Sequence, residues 1–151
     1  MDYMMEESYD NRFELFRKWL LIVSIFISLF GLAMALLKDS LLSFIFEGLF
    51  DPLFWPQGLT DEGTVRFKNF AVSLLGATMV MWGIAFFGII KYAFAKRAPW
   101  AWNTLLYSTL AWFVIDESFS IYYQVWVNAV GNLPLLIFLL LPLIMTREFF
   151  H

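Results

Sequence analysis

From Trp19 to Leu37 the chain runs nineteen residues without a charge, which leaves few folds open to it. At a helical rise of about 1.5 Å per residue the run spans about 28 Å, close to the apolar thickness of a bilayer. Backbone in hydrocarbon must close its hydrogen bonds within the segment, so the run is predicted to be a transmembrane helix. Arg17 and Lys18 flank one end and Lys38 the other. A cleaved secretory signal is the competing reading, with Ala33-Met34-Ala35 as the cleavage site. The acidic leader, with Asp2, Glu6, Glu7, Asp10 and Glu14, favours a retained helix.

Phe70 to Ile90 is a second uncharged run, closed by Lys91. Trp100 to Thr146 is apolar almost throughout, and its forty-seven residues fit two helices joined by a tight turn. The turn is expected near Tyr122 to Gln124. A turn at Gly131-Asn132 would leave only Leu133 to Thr146 for the last span, about 21 Å and short of a bilayer. Pro134 then falls inside the fourth helix, where it frees the carbonyl of Val130. The expected fold is all-α, a single integral membrane domain over residues 1–151. Its antiparallel bundle has four transmembrane helices at about 19–37, 70–90, 100–121 and 125–146. Composition agrees: 61% of residues are hydrophobic and 15% charged, against about half and a quarter in soluble domains.

The long connector from Lys38 to Asn69 has its own pattern. Leu41, Ile45, Leu49 and Leu53 recur every fourth residue beside Leu42, Phe46 and Phe50, opposite a stripe of Ser43, Glu47 and Asp51. This predicts an amphipathic helix at about 40–51 lying in the outer membrane interface, begun by Asp39 or Ser40 and stopped near Pro52.

Orientation follows from the basic residues. With the N-terminus inside, Arg12, Arg17, Lys18, Lys91, Lys96, Arg97 and Arg147 lie on the cytoplasmic side, and Lys38, Arg66 and Lys68 outside. Both termini are therefore expected in the cytoplasm, in an inner (plasma) membrane. Trp19, Trp100 and Trp102 would mark the inner interface, and Trp55, Tyr122, Tyr123 and Trp126 the outer one.

Several function classes are excluded. Net charge is −3 and no basic run exceeds two residues, so nucleic acid has no electrostatic foothold. The chain has no cysteine and its one histidine is the last residue, His151, which removes thiolate chemistry, histidine metal sites and histidine triads. No motif calls for a cofactor, and no catalytic residue stands out.

Small residues recur at helical spacing: Ser24, Ser28, Gly31 and Ala35 in the first span, Asn69, Ser73, Gly76, Val80 and Gly83 in the second, Thr104, Ser108, Ala111 and Ile115 in the third. Such stripes let helix backbones approach closely in lipid. The chemistry gathers around Asp116, sixteen residues beyond Trp100 and thus about 24 Å from the inner boundary. An acid at that depth faces the bundle interior and needs a partner. Ser120 and Gln124 follow it at steps of four, and Trp112 and Thr109 share its face. Asn128 and Asn132 lie across the turn, Asn132 at the depth of Gly76, so small residues of the first two spans are expected to face an acid and two amides. Glu117 is about 100° around the helix and is expected to point elsewhere.

Two readings of Asp116 stand open. It could clasp Asn128 or Asn132, or pair with Arg66 or Lys68, to fix helix register. Alternatively it forms a ligand or proton site. The ligand reading names Asp116, Asn128, Asn132 and Ser120 as polar contacts, with Trp82 and Trp112 as apolar walls around a lipophilic or amphipathic molecule in the outer half of the bundle. The alternatives are an accessory or scaffold subunit, as a homo-oligomer or within a larger membrane complex, and a proton-linked transporter or membrane enzyme on a lipid-soluble substrate.

The phrases Gly76-Ala77-Thr78-Met79 with Trp82-Gly83, Trp100-Ala101-Trp102 and Trp112-Phe113-Val114-Ile115-Asp116 are nearest to a signature. With its size and span count, the chain from Trp19 to Thr146 resembles the small four-span bacterial inner-membrane proteins of the DoxX-like group and neighbouring families. The resemblance implies a four-helix membrane fold and carries over no functional residue.

Overall fold

The computed structural model describes residues 2–37 and 41–150. Five α-helices follow one another: α1 (Asp2–Leu36), α2 (Leu41–Phe54), α3 (Glu62–Tyr92), α4 (Pro99–Tyr122) and α5 (Trp126–Thr146), with 3₁₀ turns at Phe94–Lys96 and Arg147–Phe150. The described residues contain no strand. Three segments, 9–36, 62–96 and 126–150, are long and apolar enough to cross a membrane. Helix α4 has 24 residues. It carries Asn103, a set of hydroxyl residues and Asp116-Glu117, and it is not among those three segments.

The turn between α4 and α5 falls where the longer last span requires it. Gln124 takes the left-handed conformation, with φ of 59°. Its amide donates to the Ile121 carbonyl at 3.1 Å and the Val125 amide to that of Ser120 at 2.8 Å. This paired closure caps the orphan carbonyls at a helix end. Gly131 and Asn132 lie inside α5, so they make no turn, and α5 carries both Pro134 and Pro142. Arg97 closes the connector before α4 in the same way, with φ of 55° and an amide bond to Phe94. Pro99 then occupies the first turn of α4, where a missing amide proton does no harm.

Helix α1 lies antiparallel against α3 and the 3₁₀ turn after it, from Phe13 against Phe94 of that turn to Ala35 against Ser73 of α3. Their small-residue stripes meet each other. A Cβ on Gly76 would lie 2.8 Å from the Ala35 backbone nitrogen, and one on Gly83 2.6 Å from the Ser24 carbonyl oxygen. The Ser24 and Ser28 hydroxyls donate back into α1, to the carbonyls of Leu20 and Ser24. Gly31, Ala35 and Gly76 are thus taken up by the α1–α3 contact and do not face the Asp116 cluster as expected. The third stripe departs further. Thr104, Ala111 and Ile115 are exposed, and α4 buries Ala101, Leu105, Thr109 and Ser120 instead.

The apolar core occupies the half of the molecule that holds the end of α5. Leu20, Val23 and Ile27 of α1 meet Phe86 and Ile90 of α3, Ala101 and Leu105 of α4, and Leu139 and Leu143 of α5. Trp102 crosses this layer and donates its indole N–H to the Leu143 carbonyl at 2.8 Å. Below it, Phe13, Phe94, Phe149 and Phe150 pack together, with ring centroids 4.6 to 6.1 Å apart. The last two phenylalanines therefore fold back into the core rather than trailing from α5. Trp19 meets Phe138, about 12 Å up α5 from Thr146, so α1 continues as helix well below its first tryptophan.

Helix α2 extends past its expected stop to Phe54, with Pro52 in its last turn. The start expected at Asp39 or Ser40 lies outside the described residues. Lys68 of α3 donates to Asp51 at 2.8 Å and to Glu47 at 3.2 Å, so the acidic stripe of α2 faces α3. Phe44, Leu49, Leu53 and Phe54 are left exposed. Asp61 caps the start of α3, accepting from the backbone N–H and the hydroxyl of Thr64, both at 2.7 Å.

Candidate functional site

Beyond Leu105 and Leu139, α4 and α5 hold together by polar contacts. The Asn128 side-chain amide donates to Asp116 Oδ1 and to Ser120 Oγ, both at 2.8 Å. The Ser120 hydroxyl reaches the Asp116 backbone carbonyl at 2.9 Å. Asn132 donates to Asp116 Oδ2 at 3.2 Å and to Glu117 Oε1 at 3.1 Å. Helical spacing explains the set. Asp116 and Ser120 lie one turn apart on α4, Asn128 and Asn132 one turn apart on α5, and the antiparallel turn at Gln124 brings the two rows into register.

Of the residues named from sequence, Asp116, Asn128, Asn132 and Ser120 form one hydrogen-bonded cluster. Trp82 and Trp112 form a second contact, with ring centroids 5.2 Å apart and planes tilted by 43°. That pair joins α3 to α4, and Trp112 lies one turn before Asp116 on α4. Trp82 also stands edge-on to Phe86 at 5.5 Å. Asp116, Asn128, Asn132, Trp82 and Trp112 are half-buried, while Ser120 and Phe86 are buried, so the cluster is reachable from the side of the helices.

Two features differ from the sequence reading. Glu117 does join the cluster: the 100° between neighbouring residues lets both carboxylates straddle one facing helix, and Asn132 bridges them. The proposed pairing of Asp116 with Arg66 or Lys68 is not seen, because Lys68 turns to α2. No ion pair to Asp116 or Glu117 occurs among the described residues.

Thr109 adds a third. It is fully buried two turns inward of Asp116, and its hydroxyl has no hydrogen-bond partner among the described residues. Leaving such a group dry and unpaired costs about 1–3 kcal/mol. Its place on the Asp116 face was legible from the spacing; its orphaned state was not, since that depends on neighbouring helices.

The cluster is rich in acceptors and poor in positive charge. Two carboxylates accept from two asparagine amides, one of which they share, and the asparagine carbonyl oxygens add further acceptors. Such an arrangement suits a guest that brings donors or a cation. Among the described residues no group of three or more acidic, histidine or cysteine side chains is placed to hold a metal ion. No family model, curated protein or solved structure matches the chain.

Proposed function

We propose that the chain is a four-span protein of the inner (plasma) membrane, with both termini cytoplasmic and α2 in the outer interface, and that it binds an amphipathic ligand from the lipid at the Asp116 cluster. In this reading α1, α3, α4 and α5 cross the bilayer. The small four-span resemblance and the excess of basic residues at the Arg12, Arg97 and Arg147 end both support it. The observation that carries the ligand reading is the pair of carboxylates, Asp116 and Glu117, bound to the α5 amides with no ion pair to either among the described residues. The ligand's head is positively charged and sits on these acids, while its apolar body lies against Trp82 and Trp112. The unpaired Thr109 hydroxyl offers a further polar contact inward.

Binding of a fluorescent lipophilic amine to the protein in nanodiscs tests this. Asp116→Asn and Glu117→Gln together keep shape and remove charge, and should weaken binding at least about tenfold, equivalent to 1.4 kcal/mol. Unchanged binding by a folded double variant would sink the ligand reading and leave the cluster as a register clasp.

A second reading has its own observation. The stripe of Thr104, Ala111 and Ile115 on α4 is exposed, with the half-buried Ser108 between them, and it is small and partly polar, which suits a helix of another subunit better than lipid. An accessory role in a larger complex, or a homo-oligomer joined through α4, follows from it. Cross-linking from a cysteine at Ala111 in native membranes separates the two.

A further inference from the structure

At the inner end of the molecule a recess of about 320 Å³ is lined by Arg12, Ile144, Met145, Arg147 and Glu148. Arg12 pairs with Glu148 and lies over the rings of Tyr9 and Phe149, which fixes its guanidinium in place. Its Nε–H is nevertheless buried and has no hydrogen-bond partner among the described residues. Arg147 makes no ion pair among them either. Among the described residues two guanidiniums stand against one carboxylate, which leaves the recess a surplus positive charge, with the exposed Arg147 offering the accessible donors.

We propose that this recess binds the phosphate of an anionic phospholipid in the inner leaflet. A guanidinium presents its donors in a planar fork that matches phosphate oxygens, which a single ammonium does not. The side walls fit the rest of the molecule. Ile144 and Met145 are exposed beside the charges, and Ile137, Leu141 and Ile144 continue as an exposed apolar stripe along α5 at steps of four and three. Acyl chains lie along that stripe while the head reaches Arg12 and Arg147. A zwitterionic head is a poorer fit, because its cation meets the same surplus charge. The site rests on the membrane-spanning reading but not on ligand binding at Asp116.

The test uses the full chain reconstituted in vesicles of equimolar phosphatidylglycerol and phosphatidylcholine, followed by gentle extraction and native mass spectrometry of retained lipid. Wild type should retain phosphatidylglycerol in preference. Arg147→Ala, at an exposed residue without an ion pair, should lower that retention about fivefold. Arg147→Lys should restore only part of it, since charge returns without the fork. Arg66→Ala, at the opposite end, should change nothing. Equal retention of both lipids, or retention indifferent to Arg147, overturns the site while leaving the membrane reading intact. Displacement of the lipid by an equal concentration of inorganic phosphate assigns the recess to free phosphate and overturns the lipid proposal. Recovery of the chain in the vesicle-free fraction overturns the membrane reading together with this site.

Discussion

Gly31 and Gly76 face each other backbone to backbone: a Cβ on Gly31 would lie 2.6 Å from the Gly76 carbonyl oxygen. Neither helix has room for a methyl group there, and the neighbouring atoms are backbone and the Cβ atoms of Met79 and Ala35, which cannot rotate away. Gly76→Ala is expected to destabilise the protein by about 1–3 kcal/mol through overpacking. Gly131→Ala is the control, because a Cβ there meets nothing within 4 Å. In the middle of α5 it should raise stability by about 0.5–1 kcal/mol, as glycine is a poor helix former. Unfolding of both variants in detergent, against wild type, checks the pair.

The clasp between α4 and α5 predicts coupling between Asp116 and Asn128. In a double-mutant cycle of Asp116→Ala and Asn128→Ala, the interaction energy should be about 0.6–1.7 kcal/mol, the range of polar contacts between membrane helices. Strict additivity of the two changes would show that the hydrogen bond does not hold the helices. The cycle reports the clasp alone, so it separates structural from ligand-binding loss at Asp116.

Stability at the start of α3 should depend on acid. The Thr64 hydroxyl, and then its backbone N–H, hold the Asp61 carboxyl below its ordinary value of 3.8. The folded-state value is therefore depressed. The cap is complete above the unfolded value and is lost as pH falls through the folded one. Protection of the Thr64 and Val65 amides, taken relative to their intrinsic exchange at each pH, should fall on that descent, and Asp61→Asn should abolish that fall while keeping an acceptor. Protection that is flat with pH in the wild type contradicts the cap.

Topology is open to a direct test because the chain has no cysteine. A cysteine replacing Gln57, exposed between α2 and α3, should react with an impermeant thiol reagent on intact cells. One replacing Lys96, exposed between α3 and α4, should react only after the membrane is opened. The opposite pattern inverts the orientation, and reaction of both in intact cells rules out an odd number of spans between the two positions.

Local order along the chain was largely readable before any contact was known. Uncharged length and period placed the long helices, and the limits of a bilayer-length span put the last turn at Gln124 rather than Gly131. Four-residue spacing put Asp116, Ser120, Asn128 and Asn132 on facing rows, because a helix presents i and i+4 on one side whatever surrounds it. Which rows meet was not readable, since that depends on how distant helices are arranged. Only in three dimensions do the stripes of α1 and α3 close on each other, Lys68 turn away from Asp116 to α2, and the stripe of Thr104 and Ala111 remain bare. The same holds for Glu117, drawn in because one amide on a facing helix reaches both neighbours. It holds for Phe149 and Phe150 too, whose burial depends on α1 and α3 lying beneath the end of α5. Periodicity is a property of one helix, and contact is a property of two.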